Sequence, residues 1–453
     1  MVDFISFGVE GDHMRILHTA DLHLGHSLNG WDREDEHRSW FDALADIVDR
    51  EEVDLVLIAG DIYDNTNPSG EIQALFYQGL MALRARRPGI CIVVSGGNHD
   101  PVRRLEAPSV LMKVHDIRVI GAVRRRAGTP CAETGQTLPG EIDLDHHLVA
   151  VRGADGEVAL YVLAVPFLRA SDLPGLSFDD TVSSSESPIV AAARRFFEEI
   201  SASAVARMDA LGHSKLPLVM TAHLHCAGGL ESEGAERRIM IGGSHALPPD
   251  VFPQEISYVA LGHLHRPQTL SGDRVRYSGS CFPLSASEIG YDHGVTILDL
   301  AEGALSHRHL SVPRPVPILR IPATGSSATA IGIEDLDDEL DEVLEKNPFE
   351  ADTPIGLRPL IYLEMKATDA ASVIMTEATG LVKARGLRLA GIRVRRETDA
   401  ANPTAGKAVA FTQSLRETTP EALFAPAFRK KHGIDPEDRH LAVFRESVVD
   451  QET

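Results

Sequence analysis

The stretch Arg15-Ile16-Leu17-His18-Thr19-Ala20-Asp21-Leu22-His23 decides how this chain is read. A strand-like apolar run stops on an aspartate and a histidine two residues apart, which on extended backbone point to the same side. The same kind of ending recurs along the chain. Residues 54–59 run into Gly60-Asp61-Ile62-Tyr63-Asp64, and residues 90–95 into Gly96-Gly97-Asn98-His99-Asp100. Residues 216–222 end in His223-Leu224-His225, and residues 257–261 in Gly262-His263-Leu264-His265. Sites of layered α/β folds lie beyond the carboxyl ends of the strands. Converging ends of this kind gather Asp, Asn and His side chains at one place, and the glycines beside them let the backbone turn sharply.

Outward from these segments the chain alternates further β-like runs (159–165, 238–241, 274–278, 294–298) with helical periodicity. Trp40, Phe41, Leu44, Ile47 and Val48 repeat at helix spacing, as do Ile72, Leu75, Phe76, Leu80 and Leu83, and residues 189–211 form a third such stretch. This pattern predicts an α/β fold: a β-sandwich of two sheets flanked by helices. Pro313, Pro315 and Pro317 mark a boundary. Beyond them the pattern predicts strand 318–321, an acidic helix with the stripe Ile333, Leu336, Leu340, Val343 and Leu344, strand 359–365, helix 371–385 and strand 387–395. That makes a small second α/β domain.

The expected division is an N-terminal extension 1–13 (with Met14 as an alternative start), a first domain 14–311, a second 312–400, and a linker with a helical segment over 401–453. In that tail Thr419-Pro420-Glu421 and Asp435-Pro436-Glu437 each open a short helix. Phe424 and Phe428 lie on the first, Leu441, Phe444 and Val448 on the second. Helices this short are unstable alone in water, so the tail reads as an arm that docks on another protein's helices. Residues 124–143 and 183–188 read as loops.

Composition narrows the function classes. Of 453 residues 43% are hydrophobic and 24% charged, ordinary globular usage. The longest apolar runs are far too short to span a membrane, and the N-terminus lacks the basic segment of a secretory signal. A cytoplasmic, nucleoid-associated protein is expected. Four scattered cysteines without a CxxC pair argue against a disulfide framework or a zinc knuckle. The balance of 44 basic against 66 acidic residues, net −22, excludes a nonspecific nucleic-acid coat protein. It leaves open an enzyme on nucleic acid whose metal ions and local arginines supply positive charge. Candidate clusters are Arg103-Arg104, Arg124-Arg125-Arg126, and Arg393, Arg395 and Arg396. Eight acids and no base stand between residues 334 and 345, a solvated helix face.

Imidazole, carboxylate and amide donors without thiolate suit manganese, iron or zinc in an open site. A carboxylate can bridge two such ions, and two ions clamp an in-line displacement at phosphorus. The donors at the strand ends are enough for two metals. Residue types alone leave His223 and His225 both open as the donor of the fourth segment.

The ordered set D-x-H, G-D-x-x-D, G-N-H-D, a later His and G-H-x-H resembles the calcineurin-like metallophosphoesterase family. Pro166-Phe167-Leu168-Arg169, the run from Tyr258 to Gln268, Tyr277-Ser278-Gly279-Ser280 and Pro283-Leu284-Ser285 are similar to one branch of it, the nuclease subunits of SbcCD-type complexes. The resemblance implies that Asp21, His23, Asp61 and His265 hold one metal, and Asp61, Asn98, His223 and His263 the other, with Asp61 as the bridge. It implies His99 as the group that protonates the leaving oxygen; Asp100, next in the chain, is expected to orient its ring. Archaeal and eukaryotic relatives carry histidine at the position of Asp64; here Asp64 orients His99, binds water, or caps the following turn. Also implied are two divalent ions, manganese in kind, and no bound nucleotide, since no GxxxxGK[ST] loop is present. The implied activity is 3′–5′ exonuclease on duplex DNA ends and endonuclease on single strands and hairpins, in DNA repair, recombination and replication. The implied partner is an SbcC-type ATPase docked at its coiled-coil base through residues 411–449, with a homodimer of nuclease subunits in a heterotetramer. The second domain would be a capping domain. Rival readings are a phosphoesterase on small molecules or phosphoproteins, and a non-catalytic adaptor.

Overall fold

Strands that are apolar at every position are buried on both faces, and this chain has several. The computed structural model describes residues 13–130, 137–138, 140–173, 187–232, 246–301, 304–323, 326 and 328–395. Along the chain the main elements are β1 (Met14–Thr19), α1 (Glu34–Arg50), β2 (Leu55–Ala59), α2 (Gly70–Arg86), β3 (Cys91–Ser95), α3 (Val102–Glu106), α4 (Ser109–Met112) and β4 (Ile117–Ile120). Then come α5 (Leu144–His147), β5 (Leu148–Arg152), β6 (Val158–Ala164), α6 (Pro188–Ala210), β7 (Leu218–His223), β8 (Tyr258–Gly262), β9 (Gln268–Thr269), β10 (Val275–Tyr277), β11 (Gly294–Ala301) and β12 (Ala304–Ser311).

These strands form two six-stranded sheets, in the orders β12-β11-β1-β2-β3-β4 and β9-β10-β8-β7-β6-β5. Strands β1 to β4 run parallel, as do β6, β7, β8 and β10. Their carboxyl ends therefore share one edge within each sheet. Period-two alternation divides the core. Val56 and Ile58 of β2 join the layer with Trp40, Phe41, Leu44, Phe76 and Leu80 of α1 and α2. Leu55 and Leu57 join Leu160, Val162, Val219, Tyr258 and Ala260 between the sheets. Phe196, Phe197 and Ile200 of α6 cover the far side of the second sheet. The result is the expected sandwich flanked by helices.

Helix ends follow ordinary capping chemistry. Glu34, Asp35 and Glu36 sit in the first turn of α1, against its positive dipole end. The Ser69 side chain accepts from the Ile72 amide at the start of α2, and Pro188 opens α6.

The chain divides into two compact units. The first comprises the described residues up to Ile318 together with Glu350–Pro359, the second Leu319–Phe349 and the residues from Leu360. The second unit carries β13 (Ile318–Ile321, its first residue in the first unit), α7 (Leu336–Lys346), β14 (Leu360–Lys366), α8 (Ala371–Ala384) and β15 (Arg388–Arg395). Its sheet order is β13-β14-β15, with β14 and β15 parallel across the α8 crossover. Leu336 and Leu340 of the acidic helix pack with Ile361, Leu363, Ile374 and Val382. Its acids face water or pair with Arg385, which reaches Asp337 and Asp341 at 2.9 and 2.7 Å.

Sequence reading passed over the strands β4, β5, β9 and β12. The expected extension 1–13 (apart from His13), the strand 238–241, the 183–186 part of the expected loop, Cys131, Arg396 and the whole tail 401–453 lie outside the described residues.

Candidate metal centre

Three of the five strand ends deliver polar residues through a sharp change of backbone, while His223 is the last residue of its strand. Asp21, His23, Asp61 and His263 all take positive φ, at 53°, 45°, 50° and 110°. Non-glycine residues adopt this region at a cost of order 1–3 kcal/mol each, and such strain concentrates at functional sites. Two glycines make the approach of the loops possible. A Cβ on Gly60 would lie 2.1 Å from His223 Nδ1, and one on Gly97 2.1 Å from Asp61 Oδ1.

The convergence is tight. Asp21, His23 and His265 offer donor atoms all within 4.8 Å of one another; so do Asp21, Asp61 and His223, and likewise His23, Asp64 and His99. Asp61 Oδ2 lies 3.6 Å from His23 Nε2 and 3.4 Å from His223 Nε2, while Oδ1 accepts from the His99 amide at 2.9 Å. One carboxylate oxygen thus stands between an imidazole from each sheet. The Asp21 carboxylate accepts from the His263 amide at 2.9 and 3.1 Å, so it also ties the two sheets together.

Hydrogen bonding at the far side of each ring fixes what it presents to the centre. His223 Nδ1 donates to the Ala59 carbonyl at 2.9 Å. Its Nε2 is then free of a proton in the neutral ring, yet it faces Asn98 Oδ1 at 3.0 Å and Asp61 Oδ2 at 3.4 Å. Three lone-pair atoms meeting in a buried place require a cation or a proton among them. His23 Nε2 is buried without a hydrogen-bond partner, also aimed at Asp61. The donor set therefore fits divalent metal ions. The centre's own charges partly meet this need: burial lowers His223, but the Asp61 and Asp21 carboxylates outweigh it and raise the imidazole from about 6.5 to about 9. Burial pushes Asp61 up, while His223, His23 and His99 hold it well below the ordinary carboxylate range. Burial raises Asp21 despite the histidines around it, and burial with the charge of His223 takes His263 well below the ordinary imidazole value.

The three non-ligand candidates are placed as follows. His99 Nδ1 donates to the main-chain carbonyl of Asp64 at 2.6 Å, and its ring stands edge-on to His23 at 5.0 Å between centroids. It is the Asp64 carbonyl that meets His99; the Asp64 carboxylate lies 3.4 Å from His23 Nδ1. Asp100 accepts from three main-chain amides, Ile62 and Gly97 at Oδ2 (3.1 and 2.7 Å) and Tyr63 at Oδ1 (2.9 Å). It ties the Asn98–His99 loop to the loop after Asp61, a hold exerted through backbone. His225 sits outside the Asp61 cluster, 3.4 Å from Glu231, with its ring 6.0 Å from that of His263.

The arginine clusters are partly neutralised. Arg124 pairs with Glu106, Arg125 with Glu199 through two bonds of 2.6 and 2.8 Å, and Arg126 with Asp145 at 3.2 Å. Arg393 and Arg395 both reach Glu364. Trp40 is buried in the core against the first sheet. One residue escaped sequence reading altogether: Glu288, fully buried, accepts from His265 Nδ1 at 2.8 Å.

A cluster of His, Asp and Asn side chains fit for divalent metal, at the strand ends of a two-sheet sandwich, is the kind of site metal-dependent hydrolases use. The family model described as calcineurin-like phosphoesterase matches residues 14–267. The chain belongs to that family. It is 48% identical over 415 residues to SbcD, the nuclease component of SbcCD, from Rhodobacter capsulatus, covering 92% of this chain and 94% of that one. The proteins of the same name from Bacillus subtilis and Escherichia coli K12 are 37% and 30% identical over 64% and 70% of this chain, and 67% and 73% of theirs. The resemblance drawn from the strand-end motifs and from residues 166–285 is borne out. No helix among the described residues is long and apolar enough to cross a membrane.

Proposed function

We propose that this chain is a manganese-dependent DNA nuclease subunit that works with an SbcC-type ATPase. It trims duplex ends 3′ to 5′ and cuts single strands and hairpins, in DNA repair, recombination and replication. The observation that carries the reading is Asp61 Oδ2 lying between His23 Nε2 and His223 Nε2. This supports Asp61 as a bridge between two ions. Asp21, His23 and His265 complete one set, Asn98, His223 and His263 the other. Divalent cations bound there supply Lewis acidity toward a phosphodiester and toward water.

The chain's own groups do the rest. His99, held at Nδ1 by the Asp64 carbonyl, keeps Nε2 for the substrate, and as the doubly protonated imidazolium it hands the Nε2 proton to the leaving oxygen. Asp100 fixes the loop that carries it. The proposed division is a nuclease domain 14–311, a capping domain 312–400 and a docking segment 401–453. On and just after α4, Val110, Leu111 and Val114 are 76%, 73% and 78% exposed. Three bare aliphatic side chains just after the His99 loop support a nuclease homodimer within the complex.

The purified chain, given manganese and end-labelled hairpin and duplex DNA, is expected to cut both far faster than a small phosphoester such as p-nitrophenyl phosphate. Hydrolysis of the small ester alone would overturn the reading. A chain ending at Pro403 should keep manganese-dependent cleavage of single strands and lose its ATPase partner. Full co-purification of that chain with the ATPase would move the docking site elsewhere.

A further inference from the structure

We infer that Glu288 is a positioning residue for the metal centre: it fixes the proton of His265 on Nδ1 and so aims the Nε2 lone pair at Asp21 and His23. The inference rests on the reading of His265 as a ligand. Glu288 is fully buried, as a lone carboxylate would not be without compensation. Its oxygens are both engaged. Oε1 lies 2.8 Å from His265 Nδ1, and Oε2 accepts from the Leu284 amide at 2.8 Å. The backbone around it is pinned as well, since the Glu288 amide donates to the Ser285 carbonyl and its own carbonyl accepts from the Tyr291 amide and faces His293 Nε2 at 3.2 Å. The carboxylate has little freedom to leave the ring it faces.

A carboxylate can only accept, so Nδ1 must donate and Nε2 is left without a proton. Nε2 is the nitrogen on the opposite side of the ring from Glu288. The ring stands edge-on to His23 at 5.2 Å, and His265 shares a donor cluster with His23 and Asp21. A carboxylate behind a ligating imidazole fixes its tautomer and raises its basicity, and its loss typically costs 10–100-fold in metal affinity. The ring held in the same way in the second set, His223, rests on a neutral carbonyl instead, that of Ala59. The two sets therefore differ in charge behind the ring, and the His265 set gains the stronger donor. Glu288→Gln is accordingly expected to weaken one of the two ions and spare the other.

The test is manganese titration of the full chain, followed by calorimetry and by the electron paramagnetic resonance of bound manganese. The wild type is expected to take up two ions with a spin-coupled signal. Glu288→Gln should hold one ion at wild-type affinity and the other 10–100-fold more weakly, with loss of coupling at low manganese. In a His265→Ala background the same change should add nothing, because Glu288 acts through that ring. Wild-type affinity for both ions in Glu288→Gln, or an undiminished effect in the His265→Ala background, would overturn the inference. A wild type that binds no manganese would instead overturn the metal assignment itself. If Glu288→Gln does not fold, nitrogen-15 spectra of the wild type decide. A downfield His265 Nδ1–H resonance that disappears in His265→Ala is expected, and a proton on Nε2 would overturn the inference.

Discussion

Asp61 shows how much one side chain can organise. Its Oδ1 anchors the His99 amide, and its Oδ2 faces a histidine from each sheet. Asp61→Ala should therefore release both cations and abolish cleavage, with the sandwich intact. Near-normal manganese content by atomic absorption would refute the bridge. His99→Ala is expected to keep both ions and slow cleavage by roughly 10²–10⁴, the range for a lost general acid; single-turnover rates with metal analysis would separate the two effects. Away from the centre, His147 donates from Nδ1 to the Ala164 carbonyl at 2.8 Å and accepts the Arg124 amide at Nε2 (3.0 Å). Burial lowers it from about 6.5 to about 4. The unfolded chain then binds more protons than the folded one between those values, so stability is full above about pH 6.5 and falls as pH drops toward 4. Urea midpoints at about pH 7 and about pH 5 should show this slope. Burial lowers His18, His26 and His37 in the same way, so His147→Gln should lessen the slope by one histidine's share and cost about 1–3 kcal/mol at neutral pH through the buried amide left unpaired.

At the scale of elements, the loop after β3 matters more than the strand before it. Gly97→Ala puts a methyl group against Asp61, 2.1 Å from its Oδ1 and 2.2 Å from its main-chain nitrogen. Backbone must move, and a cost of about 1–3 kcal/mol with a marked drop in manganese affinity is expected; thermal melts with and without metal would measure both. Elements of this kind were legible in the sequence to unequal degrees. β2, β3 and β8 announced themselves because burial on both faces demands nearly unbroken apolar runs, and β1 and β7 by shorter apolar runs that close on the polar motif residues. β12 did not: its residues 306–309 are Ser, His, Arg and His, yet it pairs with β11 along its whole length, through backbone that needs no apolar side chain. β4 is only four residues long, and β5 alternates. Within the centre, the donor residues could be read because each closes a strand. Glu288 could not, because it stands 23 positions after His265 and just beyond the motif residues 277–285. Left-handed backbone at Asp21, His23, Asp61 and His263 was equally hidden, since each position carries a residue that ordinarily avoids it.

At the scale of the whole molecule, the centre draws on both sheets, so cations bound there hold the sandwich together. A ligand that binds only the folded state stabilises it by about 2.7 kcal/mol at a hundred times its dissociation constant. For a unit of this size that corresponds to a melting temperature roughly 5 °C higher. Calorimetry should show the gain with manganese, its removal by a chelator, and its absence in Asp61→Ala. The strand order carries a different consequence, for the newborn chain. β1 lies between β2 and β11, and β11 spans Gly294–Ala301. A ribosome adding about 5–20 residues per second delivers β2 within seconds of β1, but β11 only tens of seconds later. Throughout that interval one side of β1 is a bare edge open to other strands. The last proposed donor, His265, and its carboxylate Glu288 also emerge late. The proposed ion set can therefore be completed only after residues 265–288 have left the exit tunnel, late in synthesis.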